Sequence, residues 1–215
     1  PMDALRFVNL LPEHAGQLAE LQKICYPHTP REALYKEHEF VQHAGVFPEG
    51  TFVVLDGERV VAVGAGVFID FDIGHPEHDL DEFIGNGYEN HSPNGEWYYG
   101  TEIGVHPDYR GRGIARRLYD LRKGLVVHYN KRGFVAGGVL PGYARYRQQM
   151  SAHEYVERVV AGEFFDSTLT VQLHNGFSVH GVLKDYFPDK QTGGWASLIV
   201  WENPDYQMTP PGISR

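Results

Sequence analysis

The stretch "WYYGTEIGVHPDYRGRGIARRLYD", residues 97–120, limits most narrowly what this chain can fold into. An apolar, aromatic run ends at Val105, a turn holding Gly111 and Gly113 follows, and Ile114, Leu118, Leu121 and Leu125 then repeat at helical spacing. A strand that gives way to a helix through such a turn leaves several main-chain N–H groups unpaired at one point. The helix dipole adds positive potential there, and glycines let a ligand approach the main chain without striking a Cβ. Arg110, Arg112, Arg116 and Arg117 can pair with phosphate oxygens. Together these features predict an anion site, most simply for a pyrophosphate. The run has neither the G-x-x-x-x-G-K-[ST] of a nucleoside-triphosphate loop nor a dinucleotide G-x-G-x-x-G. Taken alone, R-G-x-G is also compatible with a glycine-rich turn carrying solvated arginines; the flanking strand and helix favour the anion site.

Around this stretch the pattern is mixed. "ALRFVNLL" alternates as an edge strand, and Pro12 opens a helix whose Ala15, Leu18, Leu21 and Ile24 share a face. A second helix is expected from Pro30, with Gly45 beyond its end. Asp56-Gly57 between two Val-rich runs predicts a hairpin. Residues 70–96 lose all periodicity and predict a long loop. The central helix should run to about Asn130, with Gly133 at its stop. "FVAGGVLP" predicts a short strand, and its Gly137 and Gly138 fit either a close backbone approach or a β-bulge. Ser151 and Glu154 suggest a capping box, and "FSVHGVLKDY" with "WASLIVWE" a last strand pair. The class that follows is mixed α/β (α+β) with a largely antiparallel sheet. A single domain is expected over residues 1–203, with 204–215 as a tail or linker.

The net charge of −9 argues against a nucleic-acid partner and suits a neutral or cationic small one. Cys25 is the only cysteine, so no intrachain disulfide can form and a reducing compartment is expected. No apolar run is long enough to span a bilayer, and no basic-then-apolar leader opens the sequence, so a cytoplasmic protein without membrane association is expected.

With strand, turn and helix in this order, Arg110, Gly111, Arg112, Gly113, Ile114 and Ala115 resemble the [RQ]-x-x-G-x-[GA] signature of the GNAT superfamily of acyl-CoA-dependent N-acyltransferases. Val105 followed by "HPDY" resembles the lead-in of that signature. The resemblance implies a sheet of about seven strands flanked by helices and splayed between the fourth and fifth. It also implies acetyl-CoA as acyl donor, with its diphosphate on the amides of Arg110 to Ala115 and its pantetheine beside Ile103, Gly104 and Val105. The acyl group would pass directly to a primary amine of a small molecule or peptide. A looser resemblance is to GNAT domains found with nitrilase-like amidohydrolases; an amidohydrolase partner and a homodimer are both compatible with it. The alternative is a non-catalytic CoA-binding domain serving a partner enzyme.

Acyl transfer needs a neutral amine, a polarised thioester carbonyl and a proton for the departing thiolate. Glu102 is the candidate base: strand alternation sets it opposite Ile103, with Gly100 and Gly104 clearing its own face. Many family members carry a tyrosine acid four residues before the glycine that begins the penultimate strand. Gly176 is that glycine here and the position holds Gln172, an amide that cannot supply a proton. Tyr143 and Tyr146 are candidate acids, or else packing aromatics, and water can also protonate a thiolate. His75, His78 and His91 with Asp70, Asp72 and Asp79 match no ordered metal motif, so no metal is expected. Their segment fits a substrate lid, whose acidity would favour cationic amines. Cys25 is expected to be a small buried hydrophobe.

Overall fold

The computed structural model describes residues 4–208. In chain order the elements are β1 (Leu5–Asn9), α1 (Ala15–Cys25), α2 (Glu37–Val46), β2 (Phe52–Asp56), β3 (Arg59–Ile69), α3 (Leu80–Ile84) and β4 (Trp97–Val105). There follow α4 (Ile114–His128), β5 (Gly133–Val139), α5 (Ala152–Val160), α6 (Leu169–His174), β6 (Ser178–Leu183) and β7 (Ala196–Glu202). The strands make one sheet in the order β1-β2-β3-β4-β5-β7-β6. Every neighbouring pair is antiparallel except β4 and β5. A parallel pair requires a crossover, and α4 supplies it. The expected mixed, largely antiparallel seven-stranded sheet is therefore present.

Two irregularities at β4 shape the centre of the sheet. First, β4 pairs with β5 only from Trp97 to Gly100, opposite Gly133 to Ala136. Both strands continue, so they part beyond Gly100 and Ala136 and leave a wedge between them. Second, β3 meets β4 as Gly66↔Gly100 and then Ala65↔Glu102, so Thr101 is an extra residue, a β-bulge. The bulge reverses the alternation. Tyr98 packs with Phe134 on the α4 face, whereas Tyr99 packs with Val135 and Tyr186 on the opposite face. Beyond Thr101 it is Ile103 and Val105 that join Ile114 and Leu118 under α4.

On the other face, α1 sets Leu18 and Leu21, and α2 sets Phe40, against Val53, Leu55 and Val63. Full burial of a side chain such as Leu18 stabilises the fold by about 1.5–3 kcal/mol. Under α4 the buried Tyr98 also finds a polar partner, its hydroxyl donating to the Gly50 carbonyl at 2.6 Å.

Several boundaries differ from the sequence expectation. Pro30 leads into one tight turn at residues 31–33 and the second helix begins only at Glu37, where the Lys36 N–H donates to Glu39 Oε2 at 2.7 Å. Gly45 lies inside that helix. The left-handed residue after α4 is Asn130 (φ 50°), while Gly133 starts β5, where a methyl would come within 2.2 Å of the Trp201 carbonyl oxygen. Gly137 and Gly138 sit in unbroken register with β7, which removes the bulge reading: Cβ atoms there would strike Tyr186 and Gln172.

Residues 70–96 are not all loop. Asp79 Oδ1 accepts the Glu82 N–H at 3.0 Å and starts α3, which buries Leu80 and Ile84. α6 was not expected either; the buried Asp166 accepts the N–H groups of Thr168 and Leu169 at its start. Of the capping box at Ser151, the serine half is made, with Oγ accepting the Glu154 N–H at 3.1 Å. The expected tail from 204 is described as far as Met208, and its first residues are pinned, Asn203 to the Lys131 carbonyl and Gln207 to Asn130. Among the described residues no helix is long and apolar enough to cross a membrane.

Candidate active site

The turn before α4 is built to leave its amides free. Gly111 (φ 73°) and Gly113 (φ 80°) hold left-handed conformations, and a Cβ on either would meet nothing within 4 Å. The glycines therefore set the backbone path and keep its outer side open. Gly113 caps α4 without a side-chain acceptor, and the first bond of the helix runs from the Arg117 N–H to the Gly113 carbonyl. Among the described residues, the N–H groups from Gly111 to Arg116 have no acceptor. Two of the four arginines brace the turn: Arg110 Nε donates to the Val105 carbonyl at 2.9 Å, and Arg112 donates to the Asp108 carbonyl at 3.0 Å. Arg112 also lies 4.9 Å over the Tyr109 ring. Arg116 and Arg117 stand exposed on the first turn of α4. A charge-assisted bond to a phosphate oxygen contributes about 1.5–3 kcal/mol, so a few of these donors suffice to anchor a diphosphate.

The wedge between β4 and β5 starts at Gly100 and Ala136, and its open end lies beside this turn. Ile103 and Val105 line it on the α4 face, and Gly104 turns to the other, where a methyl would lie 3.2 Å from Cys25 Sγ. Glu102 shares that second face with Gly104, but Gly100 does not: a methyl on Gly100 would strike Phe134, 2.6 Å away on the α4 face. The expectation that both glycines clear space for Glu102 is thus half right, because the bulge at Thr101 intervenes.

Gln22 Nε2 donates to Glu102 Oε1, while Glu102 Oε2 is buried without a partner. Burial pushes the Glu102 carboxyl up to about 8, against the opposing pull of the Gln22 hydrogen bond and the Arg122 charge. Arg122 was not foreseen as part of the site. Only 2 % exposed, it reaches from α4 under the bulge and donates to the carbonyls of Ala65 and Glu102 at 3.4 and 3.3 Å. Its guanidinium also packs on Tyr119 and Phe134. The only sequence signal was an arginine four residues beyond Leu118 on an otherwise apolar helix face.

The other candidates fall elsewhere. Tyr143 donates to the Met150 carbonyl at 3.0 Å and Tyr146 stacks on Phe164 at 4.6 Å, both in a cluster around Tyr155 of α5. Their contacts are with α5, and those of Glu102 are with α1 and α4. Gln172 is buried, with its Oε1 unpartnered and close to where a Gly138 methyl would stand. Burial pushes the Cys25 thiol up to about 11, with the Glu102 charge adding to it, so this residue is no thiolate nucleophile.

His75, His78 and His91 point three ways. His75 meets Asp72 at 2.9 Å, His78 meets Tyr99, and His91 accepts the Phe68 N–H while stacking on Phe47. Among the described residues no three His, Cys, Asp or Glu side chains are grouped as metal ligands. The segment does enclose an open hollow of ≈ 530 Å³, lined by carboxylates of Asp70, Asp72, Glu77 and Glu96 together with Phe71 and His78.

Comparison with known proteins identifies relatives of this chain. The sequence profile described as the acetyltransferase (GNAT) family matches residues 15–134. Two relatives come from Bacillus subtilis (strain 168). The uncharacterized N-acetyltransferase YkwB is 31 % identical over 207 residues, which cover 95 % of this chain and 92 % of YkwB. The probable hydrolase YhcX is 34 % identical over 200 residues, 92 % of this chain, but the chain spans only 38 % of the length of YhcX. Among solved structures, the loading GNATL domain of CurA from Lyngbya majuscula superposes with a TM-score of 0.80 at 16 % identity, covering 93 % of this chain and 98 % of that domain. The GphF GNAT-like decarboxylase in complex with isobutyryl-CoA gives 0.76 at 19 %, covering 92 % and 99 %. YncA from Salmonella typhimurium with acetyl-CoA gives 0.57 at 13 %, covering 97 % and 99 %. At these identities the structural likenesses establish the fold alone. The profile match over more than half of the chain, and YkwB along almost all of it, establish the rest: the chain belongs to the acetyltransferase (GNAT) family.

Proposed function

We propose that the protein transfers an acetyl group from acetyl-CoA to a primary amine, directly and without an acyl-enzyme. The observation that carries this reading is the run of unclaimed N–H groups from Gly111 to Arg116 at the mouth of the β4/β5 wedge. That arrangement suits a diphosphate followed by a slim arm able to lie along a strand edge, which is the shape of coenzyme A. The unpaired margin at Ile103, Gly104 and Val105 would take the arm, and a main-chain N–H near Val105 would polarise the thioester carbonyl.

Glu102 takes a proton from the incoming ammonium. A carboxyl near 8 is matched both to that task and to the return of the proton to a thiolate, whose ordinary value is about 8.5. One residue can thus serve as base and then acid, which fits the lack of a tyrosine at Gln172. In this reading Tyr143 and Tyr146 line the wall beyond β5 rather than move protons. The carboxylates of the 70–96 hollow favour a cationic acceptor, either a small amine or a peptide lysine.

A second reading, decarboxylation of an acyl-CoA, is favoured by one observation: the GphF GNAT-like decarboxylase superposes at 0.76, against 0.57 for YncA. The likeness to part of YhcX keeps a hydrolase partner as a further proposal. One experiment separates the readings. Thiol release from acetyl-CoA across a panel of primary amines supports acetyl transfer, and carbon dioxide release from a carboxylated acyl-CoA supports decarboxylation. Tight CoA binding with neither product would identify a non-catalytic CoA-binding domain.

A further inference from the structure

One polar chain in the interior is left unused by the phosphate turn and by Glu102. The hydroxyls of Tyr186 and Tyr99 lie 2.6 Å apart, and the Tyr99 hydroxyl lies 2.6 Å from His78 Nε2. His78 Nδ1 is 2.6 Å from the Pro76 carbonyl oxygen. A carbonyl can only accept, so Nδ1 carries the proton and Nε2 of the neutral ring accepts. The chain then has one polarity, with Tyr186 donating to Tyr99 and Tyr99 donating to His78. Protonation of His78 would turn both hydroxyls round.

The two ends of the chain differ in their surroundings. At the inner end the Tyr186 ring lies against Gly137, where a methyl would come within 2.2 Å of its Cζ. Gly137 is the first β5 residue beyond the pairing with β4, so Tyr186 stands where the wedge opens. Tyr99 and Glu102 occupy the same sheet face because of the bulge at Thr101. At the outer end His78 lines the acidic hollow. Its ring is held by Phe83 at 4.9 Å and Phe71 at 5.3 Å.

Conversion of an alkylammonium into an amide removes two protons from nitrogen: one before attack on the thioester and one from the tetrahedral adduct. Glu102 can hold only one. We propose that Tyr186, Tyr99 and His78 conduct the second proton from the wedge to the acidic hollow, an inference that rests on the acetyl-transfer reading. The carbon–nitrogen bond forms and the carbon–sulfur bond breaks, with the sulfur keeping the electron pair. The adduct nitrogen gives its proton to the Tyr186 oxygen while the proton of Tyr186 moves to Tyr99 and that of Tyr99 to His78 Nε2. The thiolate takes the proton held by Glu102, and the imidazolium releases its own to water in the hollow.

Burial keeps His78 below the ordinary imidazole range, with the Pro76 carbonyl and the Asp79 charge opposing it, so the accepting form prevails near neutral pH. Across the hollow, Asp70, Asp72, Glu77 and Glu96 stabilise the imidazolium once formed, and His75 is the other titrating ring there. Tyr186 is the member that meets the reacting nitrogen; Tyr99 and His78 act through it.

The test follows thiol release from acetyl-CoA with spermidine and lysine ethyl ester as probes. His78→Gln and Tyr99→Phe should each lower kcat at pH 7 by about tenfold or more, with CoA affinity unchanged and the double variant no slower than either single one. Added imidazole should restore His78→Ala in proportion to its free base. Near wild-type rates in both single variants, or losses that add in the double variant and follow the loss of thermal stability, would overturn the proposal. If the wild type releases no thiol with either probe, the acetyl-transfer reading fails separately and nitrogen-15 spectra of His78 decide the relay. An Nδ1–H tautomer whose titration moves by about half a pH unit or more in Tyr186→Phe supports coupling along the chain. An Nε2–H tautomer, or a His78 indifferent to Tyr186→Phe, overturns it.

Discussion

Replacing Glu102 by glutamine should make the protein more stable in alkali while leaving it unchanged in acid. The folded carboxyl keeps its proton to about 8, whereas the same group in an unfolded chain ionises near its ordinary value of 4.5. Between those values the unfolded state binds fewer protons than the folded state, so wild-type stability falls as pH rises through this window and is lowest above about 8. The gap corresponds to a ceiling of about 5 kcal/mol at 1.36 kcal/mol per pH unit. Relaxation and water reaching the partly exposed side chain reduce the expected effect to roughly 1–3 kcal/mol. Glutamine keeps the shape and still accepts from Gln22, but it cannot ionise. Urea midpoints measured at pH 4, 6, 8 and 9 should therefore coincide for the two proteins at pH 4 and diverge in favour of Glu102→Gln above it. A difference that is constant with pH, or a variant that loses ground in alkali, would refute the claim that burial holds this carboxyl protonated.

Other substitutions test the remaining parts of the site. The same Glu102→Gln variant should lose turnover most at and below pH 8 and least above about pH 10, where an alkylamine sheds its proton unaided; parallel pH–rate profiles would exclude the base. Gly111→Val and Gly113→Val should cost about 1–2 kcal/mol each from the left-handed backbone, yet abolish CoA binding by calorimetry in protein that remains folded; unchanged affinity in both would remove the anion site. Arg122→Met should destabilise by roughly 1–3 kcal/mol, because the carbonyls of Ala65, Glu102 and Leu118 lose a donor, and should move the pH–rate limb of Glu102 to higher pH. A limb that stays in place would show that the guanidinium does not act on the carboxyl.

What could be read from the sequence is what local periodicity and turn chemistry encode. The Asp56-Gly57 hairpin, the strand, glycine turn and helix from Trp97 to His128, and the two closing strands all have a repeat of two or of three to four residues, or a turn dipeptide, and each was found. α3 and α6 are too short to show a period, and what starts them is a single carboxylate each, Asp79 and Asp166. The wedge follows from where β4–β5 pairing ends, and nothing in either strand taken alone marks that point. Arg122 carries no mark of its burial in the sequence, because arginines on helices usually face solvent. The link from Tyr186 to Tyr99 joins residues 87 apart in sequence, a separation over which no spacing rule operates. Strand alternation points to Glu102 but puts Gly100 on its face, whereas Gly100 lies on the other side.

That last misplacement shows what the extra residue at Thr101 does to the molecule. Parity changes hands at this one position: even-numbered residues face the central helix up to Gly100, and odd-numbered ones do so from Ile103 onwards. Deleting Thr101 alone would therefore leave Glu102 and Ile103 paired and facing as they are, restore plain alternation to the strand, and remove only the local kink and the hydroxyl that meets Tyr88 at 2.7 Å. The two walls of the cleft are thus written in the register with β3, and the inserted threonine is a spacer that the numbering of β4 has to step over.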